Sequence, residues 1–192
     1  MTNIPPLILA SQSPRRKELL GKLGIPYTVI IQDTEEEHHE RLEPQELCYV
    51  NALAKAQAIA DKHPDSTVIG ADTLVFLGQT PLGKPKDQND AKAMLRSLSG
   101  KAHNVCTAVA IISPTQTIKI TEITQVFFKT LSDDLIDQYM SLVNVMDKAG
   151  SYACQEHGEM IIEKMLGDFD NVVGFPTAKV AEHLTALGYL VK

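Results

Sequence analysis

The 192-residue sequence lacks the patterns that mark several large classes of protein. Its three cysteines include no CxxC pair, which argues against a disulfide framework and a zinc site and fits a reducing compartment. No apolar segment approaches the length of a membrane-spanning helix. The first ten residues, MTNIPPLILA, have neither the charged start nor the long apolar run of a signal peptide. We therefore expect a cytoplasmic protein that does not interact with membranes.

Basic tails and two well-known phosphate-binding motifs are also missing. The formal net charge is -6 and no block of lysine or arginine occurs, so binding to a nucleic acid polymer is disfavoured. Neither GxxxxGK[ST] nor GxGxxG is present, which argues against a P-loop and against a Rossmann dinucleotide site. Any phosphate chemistry is then expected to concern a small nucleotide in a local basic pocket.

The segment LILASQSPRRKELLGKLG, residues 7–24, carries the strongest local signal. Its apolar start predicts a short buried strand, and Ser13 followed by Pro14 predicts the start of a helix. Arg15 and Arg16 then occupy the first helical turn, where the helix dipole disfavours cations. This anomaly favours a binding site for a phosphate chain. The alternative is a capped surface helix whose arginines are solvated or salt-bridged. The candidate phosphate-binding residues are Ser11, Ser13, Arg15 and Arg16.

Hydrophobic periodicity predicts strands and helices over the rest of the chain. The predicted strands cover residues 25–31, 67–77, 103–112, 117–129 and 160–165. The predicted helices cover residues 44–63, 87–98, 132–142 and 172–187. Helices and strands alternate early and strands dominate the middle, so we expect an α/β fold with a long mixed sheet and flanking helices. The length suits one domain over residues 1–192, or two lobes.

Asp72 is unusual within the predicted strand 67–77, TVIGADTLVFL. Aspartate is a poor strand residue, and a carboxylate inside an apolar strand needs a partner. Gly70 in the same strand indicates a close approach of another backbone. Asp72 is therefore a candidate to bind Mg²⁺, to deprotonate water, or to do both.

Phosphoanhydride cleavage needs cations on the phosphates, a carboxylate for a divalent ion and a base for water. Beside Asp72 and the arginines, the sequence offers Glu36 in an acidic loop, Lys55 on a predicted helix and Lys84 in a Gly-Lys-Pro turn. Taken singly, each of these three more often is an ordinary solvated side chain. Their combination with Asp72 is what indicates a site.

The order of several segments resembles the Maf family of nucleoside triphosphate pyrophosphatases. The segments are LILASQSPRRKELL, VIGADT, LGKP, SGKAHNV, MDKAGSYACQ and NVVGFP, and they extend over nearly the whole chain. The resemblance implies an α/β fold of two lobes around a central cleft, similar to that of inosine triphosphate pyrophosphatases. It also implies hydrolysis of a nucleoside triphosphate to the monophosphate and pyrophosphate with a divalent cation such as Mg²⁺ or Mn²⁺. A homodimer is implied as well.

The resemblance assigns a role to each matching position. Asp72 matches the catalytic aspartate that accepts a proton, and with Glu36 it is expected to hold the metal. Arg15, Thr73 and Gln155 match positions that set the choice of base. The other matching cleft residues, expected to hold phosphates, are Ser11, Arg16, Lys55 and Lys84.

Thr73 and Gln155 resemble the branch of the family that acts on dTTP and UTP. A glutamine amide offers a donor and an acceptor together, as the pairing edge of uracil or thymine requires. Ala153, Glu156 and Ala108 stand where the family more often has glycine, so we expect a stiffer loop with an extra anion near the base. Two alternatives stay open: the same reaction on another base such as 7-methyl-GTP, or a nucleotide-binding regulator of septum formation.

Overall fold

A computed structural model describes residues 4–34 and 42–189 of the protein. Its strands are β1 (Leu7–Ala10), β2 (Thr28–Val29), β3 (Thr67–Leu77), β4 (Thr80–Leu82), β5 (Ala102–Ile112), β6 (Thr117–Phe128) and β7 (Ile162–Leu166). Its helices are α1 (Pro14–Gly21), α2 (Pro44–Ala60), α3 (Gln88–Leu98), α4 (Asp133–Leu142), α5 (Gly158–Ile161), α6 (Phe169–Val173) and α7 (Thr177–Ala186). Within the described ranges, no helix is both long enough and apolar enough to cross a membrane.

The strands form one mixed sheet in the order β2, β1, β3, β5, β6, β7, with β4 paired to β3. β1 pairs in parallel with β2 and β3, whereas β4 and β7 pair antiparallel with β3 and β6. β5 and β6 are neighbours joined by residues 113–116, a connection too short for a parallel crossover, so they are antiparallel. The expected α/β fold with a long mixed sheet is confirmed.

Three helices begin at the residues that the sequence predicts. At the start of α1, Oγ of Ser13 accepts a hydrogen bond from the backbone N–H of Arg16 at 3.4 Å. At the start of α3, Oδ1 of Asp87 accepts from the backbone N–H of Asp90 at 2.9 Å. Ser132 caps α4 in the same way. Each cap satisfies an N–H group that has no partner within its own helix.

Several predicted elements differ from the structure. The first two residues of the strand expected over residues 160–165 belong to α5, and the helix expected over residues 44–63 ends at Ala60. The single helix expected over residues 172–187 is two helices, α6 and α7, separated at residues 174–176. Pro176 has no N–H and restricts the residue before it, while Gly174 has a φ of 116°, so the helix cannot continue through this segment. The strand expected over residues 25–31 pairs only at Thr28 and Val29.

The described chain divides into two compact units. Unit 1 comprises Met1–Asp72, Thr107–Glu122 and Gly174–Lys192, and unit 2 comprises Thr73–Cys106 and Ile123–Val173. Buried side chains in the core of unit 1 include Ile8, Ala56, Ile59, Val68 and Ala110. Buried side chains in the core of unit 2 include Leu95, Val105, Phe128, Ile136, Tyr139 and Ile161. Each unit therefore has a hydrophobic core of its own.

Gly70 allows α2 to pack directly on β3. A Cβ atom at this position would lie 2.3 Å from the carbonyl oxygen of Ala52 and 2.7 Å from the backbone nitrogen of Ala56. Both neighbours are backbone atoms of α2, which cannot yield without moving the helix. The predicted close backbone approach at Gly70 is confirmed, and it brings Lys55 of α2 next to the strand that carries Asp72.

Candidate functional site

The end of β1 determines where the candidate residues of unit 1 meet. β1 and β3 run parallel with Ala10 opposite Gly70, after which β1 ends and β3 continues through Asp72. Ser11 follows β1 directly and leads into α1. The chain beyond the carboxyl end of β1 therefore lies beside the Asp72 segment of β3. In open α/β sheets, ligands bind at this kind of position.

Asp72 pairs with Lys55. The carboxylate is buried, with 7% of the residue exposed, and its Oδ1 accepts a hydrogen bond from Nζ of Lys55 at 2.6 Å. The backbone oxygen of the same aspartate accepts from Sγ of Cys48 at 3.2 Å. Lys55 and Cys48 both belong to α2, so the helix that packs on Gly70 also fixes Asp72. The partner that a buried carboxylate needs is the lysine that the sequence singled out as a candidate cation.

Arg16 is held in place at the start of α1. Its Nε donates to the carbonyl oxygen of Gly174 at 2.9 Å, and its Nη1 donates to Oγ of Ser11 at 3.4 Å. Ser11 is buried, and its Oγ also accepts from the backbone N–H of Ser13 at 3.3 Å. Arg15 lies half-buried in the same helical turn. The structure thus brings the serines and arginines of residues 11–16 together around one helix N-terminus, as predicted.

Lys84 and Gln155 belong to unit 2. Lys84 is exposed and follows Gly83, whose carbonyl oxygen accepts from the backbone N–H of Gly150 at 3.0 Å. Gln155 is exposed in the loop that precedes α5. Thr73 is half-buried and is the residue of β3 that directly follows Asp72. The loop of Lys84 and the segment that leads to Gln155 are therefore hydrogen-bonded to each other.

The carboxylate of Asp72 is the kind of oxygen ligand that a divalent cation shared with a phosphate group takes. Glu36, the other expected metal ligand, lies outside the described residues. Among residues 4–34 and 42–189, no three His, Cys, Asp or Glu side chains form a group that could hold a metal ion. Mg²⁺ commonly binds one or two carboxylates together with substrate phosphates and water, and so does not require an all-protein cage. The carboxylate of Asp72 is a suitable oxygen ligand for such an ion.

The residues that hold the loop of Gln155 could not be identified from the sequence. Oη of Tyr139 accepts from the backbone N–H of Ala153 at 3.0 Å and donates to the carbonyl oxygen of Ala153 at 3.2 Å. Burial raises the pKa of Tyr139 to about 12, so the hydroxyl keeps its proton at neutral pH. Oη of Tyr152 lies 2.8 Å from Nε2 of His103. A buried tyrosine implies some polar partner, but the sequence does not say which one.

The buried imidazole of His103 is expected to make the protein sensitive to acid. Burial lowers the pKa of His103 from 6.5 to about 4. The unfolded chain therefore binds more protons than the folded one between these values, and stability falls as the pH drops through this window. The loss at pH 4 is roughly 3 kcal/mol relative to pH 7.

Replacing His103 by Gln is expected to remove this part of the pH dependence. The measurement is the free energy of urea unfolding of both proteins from pH 7 to pH 4. The difference between wild type and His103→Gln should shift by roughly 3 kcal/mol in favour of the variant as the pH falls. Parallel pH curves for the two proteins would contradict the assignment.

The fold and the site together define an α/β protein with a buried carboxylate and a helix that begins with two arginines. Side chains of these types are suited to binding phosphate groups. The family model described as "Maf-like protein" matches residues 6–187, and the chain belongs to this family. The resemblance read from the sequence segments is therefore confirmed.

Several relatives extend over nearly the whole chain. The "dTTP/UTP pyrophosphatase" of Akkermansia muciniphila is 60% identical over 186 residues, which cover 97% of this chain and 98% of the relative. The protein of the same name from Bacillus velezensis is 47% identical over 178 residues, covering 93% and 94%. Among solved structures, the Ham1 protein of Staphylococcus aureus matches with a TM-score of 0.56 at 15% identity, covering 94% of this chain and 98% of that one. At this identity the structural match supports the fold alone.

Proposed function

We propose that the protein hydrolyses dTTP and UTP to the nucleoside monophosphate and pyrophosphate. The observation that carries the proposal is the buried Asp72 carboxylate, bonded to Lys55 at 2.6 Å beside the arginine-bearing start of α1. Relatives named dTTP/UTP pyrophosphatase, at 60% and 47% identity, support this reaction and these substrates.

In this proposal the N-terminus of α1 binds the triphosphate. The helix dipole favours an anion there, and Arg15, Arg16 and Ser11 add charge and hydrogen-bond donors. Because Arg16 is already fixed by Gly174, its guanidinium needs little rearrangement when the substrate arrives. Lys55 and Lys84 provide further positive charge for the phosphates.

Asp72 serves as the general base. The oxygen of a water molecule attacks the α-phosphorus while the bond from this phosphorus to the bridging oxygen of the β-phosphate breaks, and pyrophosphate leaves. The proton of the water passes to the carboxylate of Asp72. The hydrogen bond from Lys55 fixes the orientation of this carboxylate during the transfer.

A divalent cation, Mg²⁺ or Mn²⁺, belongs to the proposal. Asp72 and Glu36 would hold it together with the phosphates of the substrate. When bound, such an ion neutralises phosphate charge and lowers the pKa of water.

Thr73 and Gln155 are proposed to select the base. The amide of Gln155 can both donate to and accept from the pairing edge of uracil or thymine. Cytosine presents an amino donor where uracil has a carbonyl acceptor, so a Gln155 amide held in the orientation that suits uracil would leave groups unpaired with cytosine. We propose that the reaction takes place in the cytoplasm. That the protein forms a homodimer stays a prediction.

The experiment that tests the proposal measures pyrophosphate and phosphate release from dTTP, UTP, CTP, GTP and 7-methyl-GTP. Each nucleotide is supplied with Mg²⁺, with Mn²⁺, or with a chelator. We expect pyrophosphate from dTTP and UTP with either metal, a kcat/KM at least about 10-fold above that for CTP, and no turnover with the chelator. Cleavage of 7-methyl-GTP alone would replace the substrate and keep the reaction. Tight nucleotide binding without any turnover would favour a regulatory protein instead.

A further inference from the structure

Lys148 is a buried cation that the proposed reaction does not use. Its side chain is 5% exposed, and its Nζ donates to the carbonyl oxygen of Asn144 at 2.5 Å and to Oδ1 of Asp147 at 2.9 Å. Oε1 of Glu156 lies 3.5 Å from the same nitrogen. A buried ammonium group is costly unless anions and acceptors surround it, so the three contacts hold one another in place. One of them comes from the loop of Gln155.

The backbone is anchored on both sides of Gln155. On the N-terminal side, both polar backbone atoms of Ala153 are bonded to Oη of Tyr139, and only Cys154 intervenes. On the C-terminal side, Glu156 follows Gln155 directly and contacts the ammonium of Lys148. An exposed amide whose neighbours are fixed loses less conformational entropy when it meets a ligand.

The segment after Lys148 is equally constrained. Gly150 and Ser151 both have left-handed backbone conformations, with φ of 69° and 61°. A Cβ atom on Gly150 would lie 2.9 Å from Cγ1 of Val75. The backbone N–H of Gly150 donates to the carbonyl oxygen of Gly83. Lys148 therefore sits on backbone that is tightly packed and cannot easily follow a movement of Glu156.

We propose that Lys148 and Glu156 form an ion pair that positions Gln155 for selection of the base. This inference rests on the proposed function, because it needs Gln155 to contact the substrate. Both are positioning residues, since their effect on the substrate passes through Gln155. The extra anion that the sequence places near the base thus has a structural partner, the ammonium of Lys148.

The decisive variant is Glu156→Gln, which removes the charge and nearly keeps the size of the side chain. The Glu156 side chain is 44% exposed, and Lys148 keeps its bonds to Asn144 and Asp147 in this variant, so we expect the variant to fold. We expect the KM for UTP to rise by about 5-fold, with kcat changed by less than about twofold, because a loosened amide weakens one substrate hydrogen bond. Inhibition by inorganic pyrophosphate, which has no base, should be unchanged.

Glu159→Gln is the matched control. Glu159 lies three residues further along, its side chain is 78% exposed, and it stands 3.7 Å from the ring of His157. This variant removes the same charge from the same stretch of chain and is expected to leave the KM for UTP unchanged. An equal change in both variants would show a general charge effect and would overturn the proposal.

A double-mutant cycle with Lys148→Met tests the pairing itself. If the two residues act through one contact, the double variant Lys148→Met/Glu156→Gln should raise the KM for UTP no more than Lys148→Met alone. Any of three results would overturn the proposal. These are additive effects of the two substitutions on the KM, a wild-type KM in Glu156→Gln, or a loss of pyrophosphate inhibition in Glu156→Gln that parallels the rise in KM. If wild type cleaves UTP and Glu156→Gln behaves identically, only this inference fails. A wild type that cleaves neither dTTP nor UTP refutes the proposed function and this inference with it.

Discussion

Asp72→Asn is expected to lower kcat for dTTP and UTP by about 10³-fold, since it removes the proposed general base and a carboxylate ligand for the metal. Asparagine has almost the same shape, and its side-chain oxygen can still accept the hydrogen bond from Lys55. The fold is therefore expected to persist. The two measurements are pyrophosphate release under saturating nucleotide and the free energy of unfolding in urea.

The matched control for this variant is Asp61→Asn. Asp61 is an exposed aspartate at the end of α2, where its Oδ1 accepts from Nε2 of Gln57 at 2.6 Å. The same chemical change at this position should leave turnover unaffected. Turnover near the wild-type rate in Asp72→Asn would exclude Asp72 as the base. A variant that is inactive and also unfolded would mean that the carboxylate is needed for structure.

Gly70→Ala is expected to destabilise the protein by at least about 3 kcal/mol, which is large for a single added methyl group. The new Cβ would have to lie 2.3 Å from the carbonyl oxygen of Ala52, so either β3 or α2 must shift. Activity should decline as well, because the same packing brings Lys55 to Asp72. The free energy of unfolding in urea, measured against wild type, checks the expectation.

Gly21→Ala shows what the same substitution does where space is open. At Gly21 the nearest heavy atom to an added Cβ is Oη of Tyr27 at 3.9 Å, an ordinary contact. Because alanine favours the helix over glycine, this variant should be neutral or more stable by up to about 1 kcal/mol. Equal stability of Gly70→Ala and Gly21→Ala would refute the tight approach of α2 to β3.

Signals confined to a few neighbouring residues predicted the structure well. The cap at Ser13 with Pro14 gave the start of α1, and the glycine at position 70 gave the close backbone approach. Asp72 was recognised because a carboxylate is out of place in an apolar strand. In each case the physical cause lies within one turn or one strand, so the sequence displays it directly.

Contacts between distant segments were not predictable in the same way. The sequence identified Lys55 and Asp72 separately but gave no sign that they are bonded to each other. The apolar spacing of residues 172–187 suggested one helix, although Pro176 breaks it, and the break leaves the Gly174 carbonyl to accept from Arg16. Such contacts depend on how the strands order in the sheet, which periodicity alone does not specify.

The hydrogen bond between Arg16 and Gly174 also affects the order in which the structure forms during protein synthesis. Arg16 and its acceptor at Gly174 are 158 residues apart in the sequence. The hydrogen bond from Oη of Tyr189 to the carbonyl oxygen of Pro5 joins equally distant parts of the chain. Contacts of this range form late, because a long loop must close before they bring any stability. During synthesis, the turn at residues 11–16 therefore cannot reach its final hydrogen bonding until Gly174 has been made.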